Sequence, residues 1–276
     1  MTHILGSGRG RRYSRGTGRT SHAVALAEAL AGAEARREPL ALPATIGLDE
    51  EDAYEAQEHF VALRRVRTGE AVAGYKISMT SPETRALAGA SEPAFGRLTT
   101  GMVLQSPATL SLREMFEPRL EPEIQFLVRE DLSPAASAEE VARKCLVAAG
   151  VEIPDSRFRG WFGKLSVSAI VADDAVAGHV VVAQRLKNPR TLDLRTVRAQ
   201  VFLGDDLILA GVGETVMGDP LLAVTWLTDC LARRGERLRS GTVVSSGTLA
   251  LPYALREGKY RAFFEGLGEV RFTVVP

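Results

Sequence analysis

Cysteine is nearly absent. Cys145 and Cys230 are the only two in 276 residues, they lie far apart in stretches that read as helices, and buried free thiols rather than a disulfide framework are the expectation. Net charge is also missing: Lys+Arg and Asp+Glu both number 34, which removes any global attraction to nucleic acid or an anionic membrane. No apolar run approaches the ~20 residues of a transmembrane helix. The histidines His3, His22, His59 and His179 are scattered and form no zinc pattern. There is no Walker loop and no G-x-S-x-G elbow, and "GVGETVMG" (211–218) places Val216 where a dinucleotide loop needs its third glycine. With 45% hydrophobic and 25% charged residues, what remains is an ordinary soluble globular chain, expected in the cytoplasm without a nucleic-acid or membrane partner.

The organisation reads in three parts. Residues 1–21 form a basic tail, "GSGRGRRYSRGTGRT" carrying five arginines and no acid; it has little to bury and no apolar signal region, so it is expected to be disordered. Residues 22–70 read as a helical part, with helices over 22–38 and 49–69 from the spacing of their apolar residues. Residues 71–276 read as a mainly β domain. Its expected elements include a strand over 71–77, a helix opened by Ser81-Pro82, and a turn-rich stretch over 88–120. A helix capped at Ser137 is expected to run to Gly150, followed at once by the short strand "VEIPD". A hairpin is expected over 199–211, a helix from Asp219-Pro220 to Arg234, and a final strand "EVRFTVV". Helices gather at the front and strands follow without a βαβ rhythm, which argues for an α+β fold with a mixed or antiparallel sheet.

"RLEPEIQFLV" (119–128) concentrates the chemical question. Along a strand, Glu121 and Glu123 point to one face, roughly 6–7 Å apart, while Ile124, Phe126 and Val128 take the other. Two like charges in apolar surroundings need compensation. A hard divalent cation such as Mg²⁺ or Mn²⁺ supplies it through oxygen ligands, and Glu152 in "VEIPDSR" offers a third carboxylate opposite its apolar neighbours. The spacing equally admits strand glutamates paired with Arg119, Arg157 or Lys76.

Several segments occur in an order that resembles one family: "AYEAQ" (53–57), "GYKISMTS" (74–81), "FGRLTTGM" (95–102), "EPEIQF" (121–126), "VEIPDSR" (151–157), "MGDPLLAVTWL" (217–227), "GTVVSSG" (241–247) and "GLGEVRF" (266–272). This is the 2-keto-4-pentenoate hydratase and 4-oxalocrotonate decarboxylase group of the fumarylacetoacetate hydrolase superfamily, and the resemblance covers roughly residues 45–276. It implies a helical N-terminal part followed by a rolled mixed β-sheet core. It implies Mg²⁺ or Mn²⁺ held by Glu121, Glu123 and Glu152, with Lys76 at the active site rather than in solvent. The implied activity is that of a lyase on a 2-oxo or 2-hydroxydienoic acid, in aromatic catabolism or specialised metabolism, working as a homo-oligomer and able to associate with a related pathway enzyme. In a hydratase water adds to the activated alkene; in a decarboxylase the same electron sink takes the pair released with CO₂. "GRLT" and "EPEI" lean towards the decarboxylase, while the hydratase name covers more of the group. Ser78, Thr100, Arg157 and Thr248 are candidate substrate-binding residues, with Gly247-Thr248 offering an N–H and a hydroxyl.

The chain departs from the family around this triad. Thr100 stands where an aspartate is usual, and threonine cannot take a proton at neutral pH. "ADDAVAG" (172–178) puts Asp174 in place of an asparagine and Val176 and Ala177 in place of serines, and Ser78 replaces a glycine. Three readings follow: an active lyase with an atypical substrate, in which Asp174 or Lys76 handles the proton; an orthodox hydratase or decarboxylase that dispenses with the aspartate; or a non-catalytic partner subunit.

Overall fold

A computed structural model describes residues 17–43 and 46–276. The tail expected over 1–21 lies outside the described residues as far as residue 16, and the first helix already begins at Thr17. The front of the chain forms α1 (Thr17–Arg36), α2 (Glu50–Thr68), β1 (Val72–Ser78), α3 (Pro82–Ala88), β2 (Ala94–Thr99), β3 (Val103–Gln105) and β4 (Ala108–Ser111). The middle forms β5 (Arg119–Val128), α4 (Ala138–Lys144), β6 (Cys145–Ile153), α5 (Val167–Ala172) and β7 (His179–Val182). The remainder forms β8 (Arg198–Leu203), β9 (Asp206–Val212), α6 (Pro220–Arg233), β10 (Val243–Thr248), β11 (Tyr253–Ala254), β12 (Gly258–Phe264) and β13 (Gly268–Val275).

Helix ends follow local chemistry. Asp49 accepts the Asp52 N–H at the start of α2, and Gly69 closes that helix in the left-handed conformation at φ 74°. Ser81 and Asp219 cap α3 and α6, each with proline in the first turn. The β8–β9 hairpin forms where the sequence placed it.

One element departs from expectation. The helix opened by Ser137 stops at Lys144, and Cys145 begins a strand instead of lying in a helix. The run "CLVAAGVEI" is apolar throughout, so its pattern cannot separate a buried helix from a strand enclosed on both sides. Its place between β5 and β7 decides the matter, because a central strand pairs its backbone with both neighbours. The stretch over 88–120 is likewise more regular than a run of turns, since β2, β3 and β4 each find a strand partner.

The fold is α+β, built on a curled mixed sheet. The larger sheet runs β2-β1-β10-β5-β6-β7-β3, with β11 also paired to β5, and the second runs β4-β13-β12-β8-β9. The β1–β10, β3–β7 and β4–β13 pairs are parallel and the rest antiparallel. The second sheet packs on β5, β6 and β7, and the helical pair α1–α2 packs through α2 against α5 and β2. Ile124, Phe126, Val128, Val147 and Val151 are among the fully buried side chains of the shared core. Cys145 and Cys230 are both buried. Among the described residues no helix is long and apolar enough to cross a membrane.

Candidate metal centre and active site

Pro122 shapes the centre of the large sheet. It lies in a central strand, where it has no N–H to give β10. The pairing of β5 with β10 shifts there, between Ser245 and Thr248. This irregularity turns the Gly247 N–H onto Glu123 Oε2 at 2.9 Å, and the Ser245 hydroxyl reaches the same oxygen at 2.5 Å. Gly247 sits at φ 113°, and a Cβ there would fall 2.2 Å from Thr80 Oγ1, so no other residue fits. On the opposite side β6 places Glu152 directly across from Glu121 and Gly150 across from Glu123. A Cβ at Gly150 would collide with Gln125, whose amide donates to Ser245 Oγ at 2.6 Å.

The result is a cluster of three carboxylates. Glu121, Glu123 and Glu152 each bring one oxygen within 4.8 Å of the others. Glu123 and Glu152 are inaccessible to solvent. Glu123 Oε1 and Glu152 Oε2 accept no hydrogen bond. Burial, followed by the charge of Glu152, lifts Glu121 to about 8. Glu123 is pushed well above the usual carboxylate range by burial and then by both neighbouring glutamates. Glu152 is raised by burial, against the pull of Lys76. Lys76 comes from β1, is 1% exposed, and places Nζ 2.9 Å from Glu152 Oε1. Burial lowers its pKa, but Glu152, Glu121 and Glu123 outweigh burial and raise it. Once all three carboxylates are ionised, as metal ligation requires, they leave two negative charges against the Lys76 ammonium, the amount a divalent cation cancels. Orphaned buried oxygens, hard donors and that charge deficit fit Mg²⁺ or Mn²⁺.

Lys76 has two further acceptors, Ser78 Oγ at 2.8 Å and the Ala175 carbonyl at 2.9 Å. That carbonyl belongs to an unusual turn. Asp174, Ala175 and Val176 have φ of 57°, 49° and 54°, three successive left-handed residues, each costing on the order of 1–2 kcal/mol. A cavity opens beside Lys76, Ser78 and Glu121, with about 620 Å³ of empty space when its mouth is included. Its walls are apolar and include Ile77, Met79, Leu87, Trp161, Phe162 and Ile170. Among the described residues that line it, Lys76 is the only cation.

No family model matches the chain. It is 35% identical over 230 residues, 81% of this chain and 86% of the relative, to a 2-hydroxyhexa-2,4-dienoate hydratase of Comamonas testosteroni. It is 32% identical over 224 residues, 80% of this chain and 84% of the relative, to a 2-keto-4-pentenoate hydratase of Burkholderia vietnamiensis. The chain belongs to the 2-keto-4-pentenoate hydratase and 4-oxalocrotonate decarboxylase group. Among solved structures, 4-oxalocrotonate decarboxylase from Pseudomonas putida G7, complexed with magnesium and adipate, superposes with a TM-score of 0.85 at 25% identity, covering 92% of this chain and 98% of that one.

Of the residues singled out in the sequence, Glu121, Glu123, Glu152, Lys76 and Ser78 come together. Thr248 lines the cavity, but its hydroxyl is engaged with the Ala250 backbone and the Gly247 N–H is spent on Glu123. Thr100 is exposed in the turn after β2 and is absent from the cavity wall, because the chain leaves the sheet at Thr99. Arg157 is buried away from the cavity lining, locked to the Asp173 carboxylate and to the Asp173 and Ala177 carbonyls. Asp174 also turns from the cavity. Its oxygens accept from the Arg97 N–H at 2.7 Å and from Arg64 at 2.8 Å. The left-handed turn, Arg64 and the aromatic wall were missed in the sequence. Only the last had a signal, the glycine-bracketed pair in "GWFG", where Gly160 and Gly163 both have positive φ.

A pH effect follows from the clustered acids. Because Glu121 titrates near 8 and Glu123 and Glu152 are raised, Mn²⁺ binding at pH 7 must displace protons. Calorimetry in buffers of different ionisation enthalpy is expected to show net proton release at pH 7. The release should shrink as pH rises through 8, while Mn²⁺ affinity increases. An affinity flat between pH 6 and 9 would contradict this charge state.

Proposed function

We propose that the chain is a divalent-metal-dependent hydratase of 2-hydroxydienoic or 2-oxo acids whose tails are uncharged. The observation that carries this reading is the asymmetry of the cavity. All its charge lies at the inner end, at Lys76 and Glu121, and its outer walls are apolar without a second cation. Arg119, on the glutamate face of β5, stacks over the Phe162 ring at 4.3 Å from its centroid instead of lining the cavity. A second carboxylate on the substrate tail would lose its hydration without gaining a partner.

A divalent cation, when bound by Glu121, Glu123 and Glu152, supplies a sink for the negative charge that develops on the substrate's 2-oxygen. Lys76 holds a proton at Nζ beside that end of the cavity, and Ser78 Oγ and the Ala175 carbonyl orient it. Trp161, Phe162 and Ile170 seat the tail and keep bulk water from it. Serines at positions 176 and 177 are not needed in this arrangement, because the wall formed by Val176 is apolar.

The test is turnover with Mn²⁺ of two 2-hydroxydienoic acids, one ending in a methyl group and one in a carboxylate, with products weighed by mass spectrometry. Gain of water on the neutral substrate is expected, with kcat/KM about 100-fold above that of the dicarboxylate, the discrimination a buried unpaired charge imposes. Loss of CO₂ from the dicarboxylate without hydration of the neutral acid would move the reading to a decarboxylase. Turnover of neither by the Mn²⁺-loaded protein would favour a non-catalytic partner subunit.

A further inference from the structure

The three left-handed residues at 174–176 are not glycines, and Val176 is β-branched, the residue type least suited to positive φ. Such a turn persists only where its surroundings dictate it. Here they do so from several sides. Asp174 Oδ1 takes the Arg97 N–H and Oδ2 takes Arg64 Nη1. Gly96 lets β2 lie against the turn: a Cβ there would fall 2.1 Å from the Asp174 carbonyl oxygen. The Val176 carbonyl accepts the Asp155 N–H at 2.9 Å. Arg64 stands on α2 and its guanidinium also binds Glu34 of α1 at 2.8 Å, so the helical part of the chain holds a turn of the β domain. The turn sets Val176 in the cavity wall and delivers one polar group, the Ala175 carbonyl, onto Lys76 Nζ.

We propose that Asp174 is a positioning residue that acts through Lys76: paired with Arg64, it holds the turn left-handed so that the Ala175 carbonyl aims the Lys76 ammonium at the ligand in the cavity. The inference rests on the reading of the glutamates as a metal site. A lysine ammonium has three N–H donors; here two go to Ser78 and the Ala175 carbonyl, and the ammonium is also held by its ion pair with Glu152 at 2.9 Å. Engagement of Glu152 by a cation frees the third donor for the ligand, and Ser78 and the Ala175 carbonyl are then the groups that fix its direction. Neither carboxylate oxygen of Asp174 faces the cavity, so its effect is transmitted through the backbone.

The experiment measures oxalate affinity for the Mn²⁺-saturated protein, with Mn²⁺ affinity measured separately. Oxalate stands in for the enolate of a 2-oxo acid. Asp174→Ala is expected to weaken oxalate about 10-fold while leaving Mn²⁺ affinity within about 2-fold. In a Lys76→Met background the same change should weaken oxalate by less than about 2-fold, because the group it positions is gone. Adding Ala175→Gly to Asp174→Ala should recover at least half of the loss, since glycine accepts positive φ without the clamp. An unchanged oxalate affinity in Asp174→Ala, full additivity with Lys76→Met, or loss of Mn²⁺ together with oxalate would each overturn the proposal. If Asp174→Ala does not fold, Asp174→Leu takes its place with the same expected pattern, since it also removes both acceptors of the Arg97 N–H and of Arg64. Failure of the native protein to bind Mn²⁺ or oxalate would instead remove the metal-site reading, and the proposal with it.

Discussion

Glu123→Gln is expected to abolish the response of the protein to divalent cations and to lower activity by at least about 1,000-fold. Glu123 is the most tightly held member of the triad, with one oxygen fixed by Ser245 and Gly247 and the other free of protein partners. A glutamine keeps the shape but removes the charge on which a hard cation depends. Native protein at 100 times the Mn²⁺ dissociation constant gains about 2.7 kcal/mol, roughly 5–10 °C in Tm for a domain of this size. The variant should gain nothing. Without metal the sign reverses, and Glu123→Gln should melt above the native protein at neutral pH. The fold raises the Glu123 pKa, so its ionised form costs stability at any pH above the ordinary carboxylate value. The advantage of the variant is therefore absent below about pH 4 and grows as pH rises. Melting curves at pH 4 and pH 7, with and without Mn²⁺ and oxalate, check both signs. A Mn²⁺ shift retained in Glu123→Gln would show that the cation binds elsewhere.

Lys76→Met is expected to reduce kcat by about 1,000-fold, because it removes the proton-bearing group from the inner end of the cavity. Its effect on stability should be opposite to that of Glu123→Gln. Lys76 is ion-paired to the fully buried Glu152, and breaking a buried pair by removing one partner costs about 3–5 kcal/mol. The metal-free variant should therefore melt well below the native protein. Mn²⁺ should restore more stability to it than to the native protein, and bind more tightly, because a like charge beside the site has gone. At an effective dielectric of about 20, a unit charge at ~5 Å is worth about 3 kcal/mol, so a 10-fold or greater gain in Mn²⁺ affinity is expected after screening and relaxation. Titration calorimetry gives the affinity and product formation gives kcat. Weaker Mn²⁺ binding by Lys76→Met would mean that Lys76 organises the glutamates rather than competing with the cation.

Sequence and structure divide this protein along a physical line. Local rules sufficed for the helix caps at Ser81, Ser137 and Asp219 and for the β8–β9 hairpin, since each depends on residues within a few positions of one another. The two-residue period of a strand put Glu121 and Glu123 on one face and offered Glu152 as a third carboxylate, and the resemblance to the family gave the three their role as ligands and placed Lys76 beside them. Only the tertiary structure decided that "CLVAAGVEI" is a strand, because an all-apolar run carries no period and its neighbours in the sheet select its conformation. The tertiary structure also decided which of the candidate residues reach the cavity. It set Asp174 against Arg64, 110 residues away, and not towards the cavity. It left Thr100 at the surface while Lys76 went to the interior. Where a side chain points after a left-handed turn, and which distant charge meets it, depend on contacts that the chain makes only once the sheet has closed.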